Sequence, residues 1–207
     1  MTREILYIFL HICQYPVYYV YLKTIVMKHA VIIHGWGATS QNNFFPWLSN
    51  ILQGKGYQVF VPDMPDTLYP DAYKWTDTIL KYIQDKEEIL LIGHSLGVAT
   101  ILNVLSQENC PSVDKVISIA GTTDLAYILL PKEEILPLEN FYAQLPQWNW
   151  NTIREKVKTF IIMHSDNDYA VDLDDAKHLA KVLQADLHVF HKNHFNTFDI
   201  PEILPYI

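Results

Sequence analysis

Six short apolar runs, each followed by a helical or turn-rich stretch, constrain this chain more than any other feature. They are His29–Ile33, Gln58–Val61, Ile89–Ile92, Lys115–Ile119, Thr159–Met163 and Leu187–Phe190. Runs of this length that stay aliphatic or β-branched, without polar alternation, read as strands covered on both faces. Helical patterns lie between them at Phe44–Gln53, Pro70–Gln84, Ser95–Gln107 and Leu173–Leu183, with a last short one near Pro201–Tyr206. In the Leu173–Leu183 pattern, Ala176, Leu179, Ala180 and Leu183 share one helix face, and Asp172 stands at the N-cap position. Strand, helix, strand, repeated, predicts an α/β fold: a largely parallel six-stranded sheet with helices on both faces. Such sheets carry their ligand sites at the carboxyl ends of the strands.

Two regions depart from this rhythm. Gly121 to Trp150 is long, with Pro131, Pro137 and Pro146 among apolar and aromatic residues, and reads as a lid-like insertion or pocket wall. The first 26 residues form an apolar N-terminal extension ahead of a domain spanning 27–207. Ile5 to Leu22 holds no formal charge, a length at the edge of a membrane span, but His11, Gln14 and Pro16 interrupt it. No small-residue cleavage site precedes Lys23, so a signal peptide is a poor fit. A dispensable extension is the expectation, with an added strand pair or a membrane anchor as the alternatives.

Charge and cysteine usage exclude other classes. With 15 basic and 23 acidic residues, the net charge of −8 leaves no basic stripe for phosphates, so nucleic acid is not an expected partner. Cys13 and Cys110 form neither a metal spacing nor a disulfide framework, and read as buried thiols in a reducing, cytoplasmic setting. Gly35-x-Gly37 could open a dinucleotide fingerprint, but Ser40 stands at the third glycine position and no acid follows about 20 residues on. Asp166-x-Asp168 lacks the further oxygen ligands and glycine of a cation loop. Neither a cofactor nor a metal is expected.

The chemistry concentrates in Gly93-His94-Ser95-Leu96-Gly97, between the run Ile89–Ile92 and the helix that opens at Ser95. A G-x-S-x-G turn is so tight that its flanks must be tiny, and its strain lifts the serine hydroxyl above the sheet. A serine attacks only when a base takes its proton, and the base needs a partner to fix its tautomer. The chain order in such sheets is serine, acid, histidine. The loop after Thr159–Met163 offers Asp166 and Asp168; Asp168 lies deeper and is the preferred acid. The loop after Leu187–Phe190 offers His191 and His194; His194 is the preferred base, because His191 adjoins the strand end. Leu96 N–H is one candidate oxyanion donor. Trp36 N–H, in His34-Gly35-Trp36-Gly37 after the first run, is the other.

These residues resemble the small serine hydrolases of the retinoblastoma-binding protein 9 and YdeN type. The likeness runs from about Lys28 to Phe198. It rests on Val31-Ile32-Ile33-His34-Gly35-Trp36, Phe45-Pro46-Trp47-Leu48, Asp63-Met64-Pro65, the Gly93–Gly97 elbow, Ser165-Asp166-Asn167-Asp168 and His194-Phe195. The resemblance implies a minimal α/β-hydrolase sheet without the usual leading antiparallel pair, a Ser95, Asp168, His194 triad, and ester or peptide-like substrates. Asn193 stands where the family usually has glycine; asparagine tolerates left-handed angles, so the loop can still form.

The expected function is hydrolysis of a small-molecule acyl ester through an acyl-enzyme on Ser95. A serine peptidase or amidase with the same triad, and a non-catalytic interaction protein on the same fold, are the alternatives. The pocket is expected to be apolar, built from Gly35, Trp36, Phe44 or Phe45, Met64 and the Gly121–Trp150 segment.

Overall fold

A computed structural model describes residues 27–207; the extension at 1–26, and Cys13 with it, lies outside the described residues. The strands are β1 (Lys28–Ile33), β2 (Tyr57–Phe60), β3 (Ile89–His94), β4 (Val113–Ile119), β5 (Val157–Ser165) and β6 (Asp186–Phe190). The helices are α1 (Phe45–Gly54), α2 (Ala72–Ile83), α3 (Leu96–Ser106), α4 (Lys132–Ala143), α5 (Trp150–Glu155) and α6 (Leu173–Leu183), with 3-10 turns at Leu125–Tyr127 and Pro201–Tyr206. The sheet order is β2-β1-β3-β4-β5-β6 and every pairing is parallel. All six predicted runs are strands, with ends shifted by a residue or two.

Alternation along the strands explains why the runs are largely apolar at both parities. Val31, Ile33, Leu91, Val116 and Ile162 pack on one face, with α2, α3 and α6. Ala30, Ile32, Leu90, Ile92, Ile117 and Met163 pack on the other, with α1 and the last 3-10 turn. Successive side chains point to opposite faces, so a strand between two helical layers must be apolar at both parities.

Helix starts follow local chemistry. Asp71 caps α2 by accepting from Lys74 N–H at 2.9 Å, and Asp172 caps α6 by accepting from Asp174 N–H at 2.9 Å. In α2 the buried positions Ala72, Trp75, Thr76, Ile79 and Ile83 form one stripe.

The Gly121–Trp150 segment is more regular than its prolines suggest. Pro131 sits at the N-cap of α4, where no helical N–H is needed, and Glu133 and Glu134 occupy the first turn, favourable for the helix dipole. Pro137 lies inside α4, which buries only Leu138 and Phe141. Asn149 caps α5 by accepting from Thr152 N–H at 3.2 Å. Cys110 is a buried free thiol whose pKa burial pushes up to about 11. Among the described residues no helix is long and apolar enough to cross a membrane.

Candidate active site

Four strands deliver residues to one end of the sheet. Beyond β1 lies His34-Gly35-Trp36, beyond β3 Ser95, beyond β5 Asp168 and beyond β6 His194. Gly35, Trp36, Ser95, Leu96 and His194 all line one cavity of about 440 Å³.

The turn at Ser95 is strained, with φ 53° and ψ −120°. A non-glycine residue there costs about 1–3 kcal/mol, held by the surrounding packing. The packing is tight because α3 starts almost in contact with the ends of β1 and β3. A Cβ on Gly97 would lie 2.3 Å from the Ile33 carbonyl oxygen, and one on Gly93 would lie 2.8 Å from Ile101 Cδ1 and 2.9 Å from the Gly97 carbonyl. Neither backbone obstacle can rotate away. Gly97→Ala is therefore expected to cost about 3 kcal/mol or more, read as a melting temperature about 10 °C lower.

His194 and Asp168 meet across two loops. Nδ1 of His194 lies 3.0 and 2.9 Å from the two Asp168 carboxylate oxygens. Asp168 Oδ1 also accepts from the Ala170 and Val171 N–H groups at 2.8 and 3.1 Å. Burial alone would raise this carboxyl, but the hydrogen bond and charge of His194, with the two backbone donors, hold it below its usual range. A carboxylate at Nδ1 keeps the proton there, which leaves Nε2 as an acceptor facing the cavity. Among the described residues no hydrogen bond closes between His194 and Ser95 Oγ; such contacts commonly tighten once substrate binds.

The two loops are tied by side chains the sequence does not pair. Asn167 Nδ2 donates to Asn193 Oδ1, while Asn193 N–H donates to Asn167 Oδ1, both at 2.9 Å. Asn193 takes φ 50°, the left-handed angle anticipated for it. The alternative candidates stand apart: His191 Nδ1 pairs with Asp166 Oδ1 at 2.7 Å on the exposed surface.

His94, buried in the elbow, holds the histidine loop from beneath. Its Nε2–H donates to the His194 carbonyl at 2.9 Å, and burial, with the neighbouring His194 ring, lowers its pKa to about 3. It stays neutral across the working pH range. His34 does the same for the other loop. Met64 N–H donates to His34 Nε2 at 3.0 Å, so Nδ1 carries the proton and donates to Gly35 O at 2.8 Å. Gly35 C=O and Trp36 N–H belong to one peptide plane and point in opposite directions. Fixing the carbonyl thereby fixes where the Trp36 N–H points. Among the described residues neither Trp36 N–H nor Leu96 N–H, the first of α3, has a backbone acceptor.

The pocket walls differ from the sequence expectation at two positions. Phe44 is fully buried, edge-on to Phe45 and His94 at 4.7 and 5.5 Å between ring centroids, and packs behind the elbow. The left-handed turn at Asn43 (φ 48°) presents Asn43 to the cavity and sends Phe44 into the core. Met64 is also buried, outside the cavity lining, and its N–H donates to His34 Nε2. The apolar wall comes instead from Leu96, Ile128, Leu130, Leu138 and Val171. Ile128 and Val171 are brought together by an antiparallel bridge. The Thr122 end of that wall is anchored by Asp175 of α6, which accepts from Thr123 N–H and Oγ1 at 2.7 and 2.6 Å. Burial raises the Asp175 pKa to about 6. Asn42, Asn43, Tyr169 and Asn196 also line the cavity, and no sequence spacing foretold them. Among the described residues no group of three or more His, Cys, Asp or Glu is placed to hold a metal ion.

Comparison with known proteins agrees with this architecture. A family model described as serine hydrolase matches residues 30–199. YdeN of Bacillus subtilis, described as a hydrolase, is 30% identical over 173 residues, covering 81% of this chain and 86% of that protein. The crystal structure of the B. subtilis ydeN product superposes with a TM-score of 0.74 at 28% identity, over 87% of this chain and 96% of the other. Est1E from Butyrivibrio proteoclasticus, at 17% identity and a TM-score of 0.64 over 87% and 84% of the two chains, shares the fold.

Proposed function

The chain belongs to the serine hydrolase family, and from that premise we propose that it cleaves small acyl esters through an acyl-enzyme on Ser95, with His194 as general base and Asp168 as the acid that orients it. The single observation that carries this reading is the bond from His194 Nδ1 to the buried Asp168 carboxylate, with His194 and Ser95 lining one cavity.

Ser95 Oγ attacks the carbonyl carbon as His194 Nε2 takes its proton. The carbonyl oxygen becomes an oxyanion, held by the Leu96 and Trp36 N–H groups; removing one such donor typically costs about 3 kcal/mol of transition-state stabilisation. The ester C–O bond then breaks and His194 passes the proton to the departing alcohol. In the second half a water gives its proton to His194 and attacks the acyl carbon; the bond from that carbon to Ser95 Oγ then breaks, His194 returns the proton to Oγ, and the acid leaves.

A fluorophosphonate probe tests the assignment, since it phosphonylates a serine only when a base activates it. Peptide mapping of the labelled chain is expected to place the adduct on Ser95. Label on another residue, or none on folded protein, overturns the proposal.

A further inference from the structure

The cavity is lined by two chemically distinct sets of side chains. The apolar set is Leu96, Ile128, Leu130, Leu138 and Val171. Beside the histidine runs a chain of uncharged polar groups. Asn43 Nδ2 donates to Asn196 Oδ1 at 3.0 Å, and Asn196 Nδ2 donates to the Tyr169 hydroxyl at 2.8 Å. Asn196 lies two residues past His194, and the Tyr169 ring centroid is 6.0 Å from that of His194.

Reaction chemistry decides which half of the substrate meets this chain. The departing oxygen must receive its proton from His194, so the alcohol leaves on the histidine's side. The acyl chain then meets the apolar set. The ends of the polar chain are open. The Tyr169 hydroxyl has accepted one bond and keeps a proton to donate, while among the described residues Asn43 Oδ1 has no donor. One donor and one acceptor together complement hydroxyl groups, which do both. Among the described residues no Asp, Glu, Lys or Arg lines the cavity, so none of these side chains forms an ion pair there with an ammonium or a carboxylate on the alcohol.

Resting on the esterase reading above, we infer that the substrate is an ester of an apolar acid with an uncharged polyhydroxylated alcohol, recognised by Asn43, Asn196 and Tyr169.

The test uses the full chain and four butyrate esters: 1-glyceryl and n-propyl, which share a three-carbon skeleton, and the esters of choline and lactate, which carry opposite charges. The kcat/KM for the glyceryl ester is expected to exceed that for the propyl ester about tenfold, with both charged esters at least about tenfold below the glyceryl one. Asn196→Leu and Tyr169→Phe are each expected to bring the glyceryl-to-propyl ratio toward one; a ratio taken within one preparation is insensitive to the fraction folded. A ratio at or below one in the parent protein, a ratio unmoved in both variants, or a charged ester preferred overturns the inference. If Ser95 is labelled by the probe, such results leave the hydrolase reading standing and sink only the alcohol assignment. Absence of both label and turnover sinks the two together.

Discussion

Ser95→Ala is expected to lower kcat on any accepted ester by about 10⁵- to 10⁶-fold, with a small residual rate from the oxyanion donors and substrate binding. The substitution removes one atom and little else. Alanine at position 95 faces the same steric demand at φ 53° as serine does, and Ser95 N–H still donates to the Ile119 carbonyl at 3.0 Å. The variant should therefore melt within about 2 °C of the parent, which separates lost chemistry from lost fold. Steady-state hydrolysis and thermal unfolding on the same preparation check both halves. Turnover near the parent level in a stably folded variant would end the proposal.

Asp168→Asn comes next, at about 10⁴-fold in kcat. An amide can keep the two bonds from Ala170 and Val171 through its remaining oxygen, so the loop can hold its shape. Its NH₂ group then faces His194 Nδ1. Two donors cannot share that contact, so the imidazole must switch to the tautomer with its proton on Nε2, which cannot accept from serine. Asp166→Asn disturbs only the exposed pair with His191 and is expected to change kcat by no more than about threefold. The reverse ranking would move the acid to Asp166. Asp168 also ties the site to pH. Its folded pKa lies below the ordinary 3.8, so its stabilising contribution is complete above that value and is lost as pH falls through the depressed one.

The strands were readable because burial on both faces leaves no ambiguity of parity: Val31 and Ile32 point opposite ways, and both must be apolar. Helix α4 was not readable. It buries Leu138 and Phe141, leaves Leu136 about half exposed, and carries Pro137, so it has neither a clean stripe nor a clean break. Within the site, legibility followed the range of the interaction. The elbow is a local feature, fixed by glycines two residues either side of Ser95, and the acid and base loops follow from chain order. The walls depend on contacts between distant segments: Asn43 with Asn196 is a pairing across 153 positions. A single left-handed residue also exchanged Asn43 for Phe44 at the cavity edge, and residue type alone favoured the phenylalanine.

The all-parallel pairing also bears on how the molecule reaches its working state. Among the described residues no strand meets its neighbour through a tight turn; in the chain α1 lies between β1 and β2, and α1, β2 and α2 lie between β1 and β3. Loop closure must be met before those pairings return anything, which makes such topologies slow to fold. The groups at the cavity come from residues 35 to 196, so no early fragment of structure holds them all. Partly folded populations would be silent in an ester assay even with several helices formed. Regain of hydrolysis after dilution from denaturant therefore times the last docking event, while far-ultraviolet ellipticity times the first.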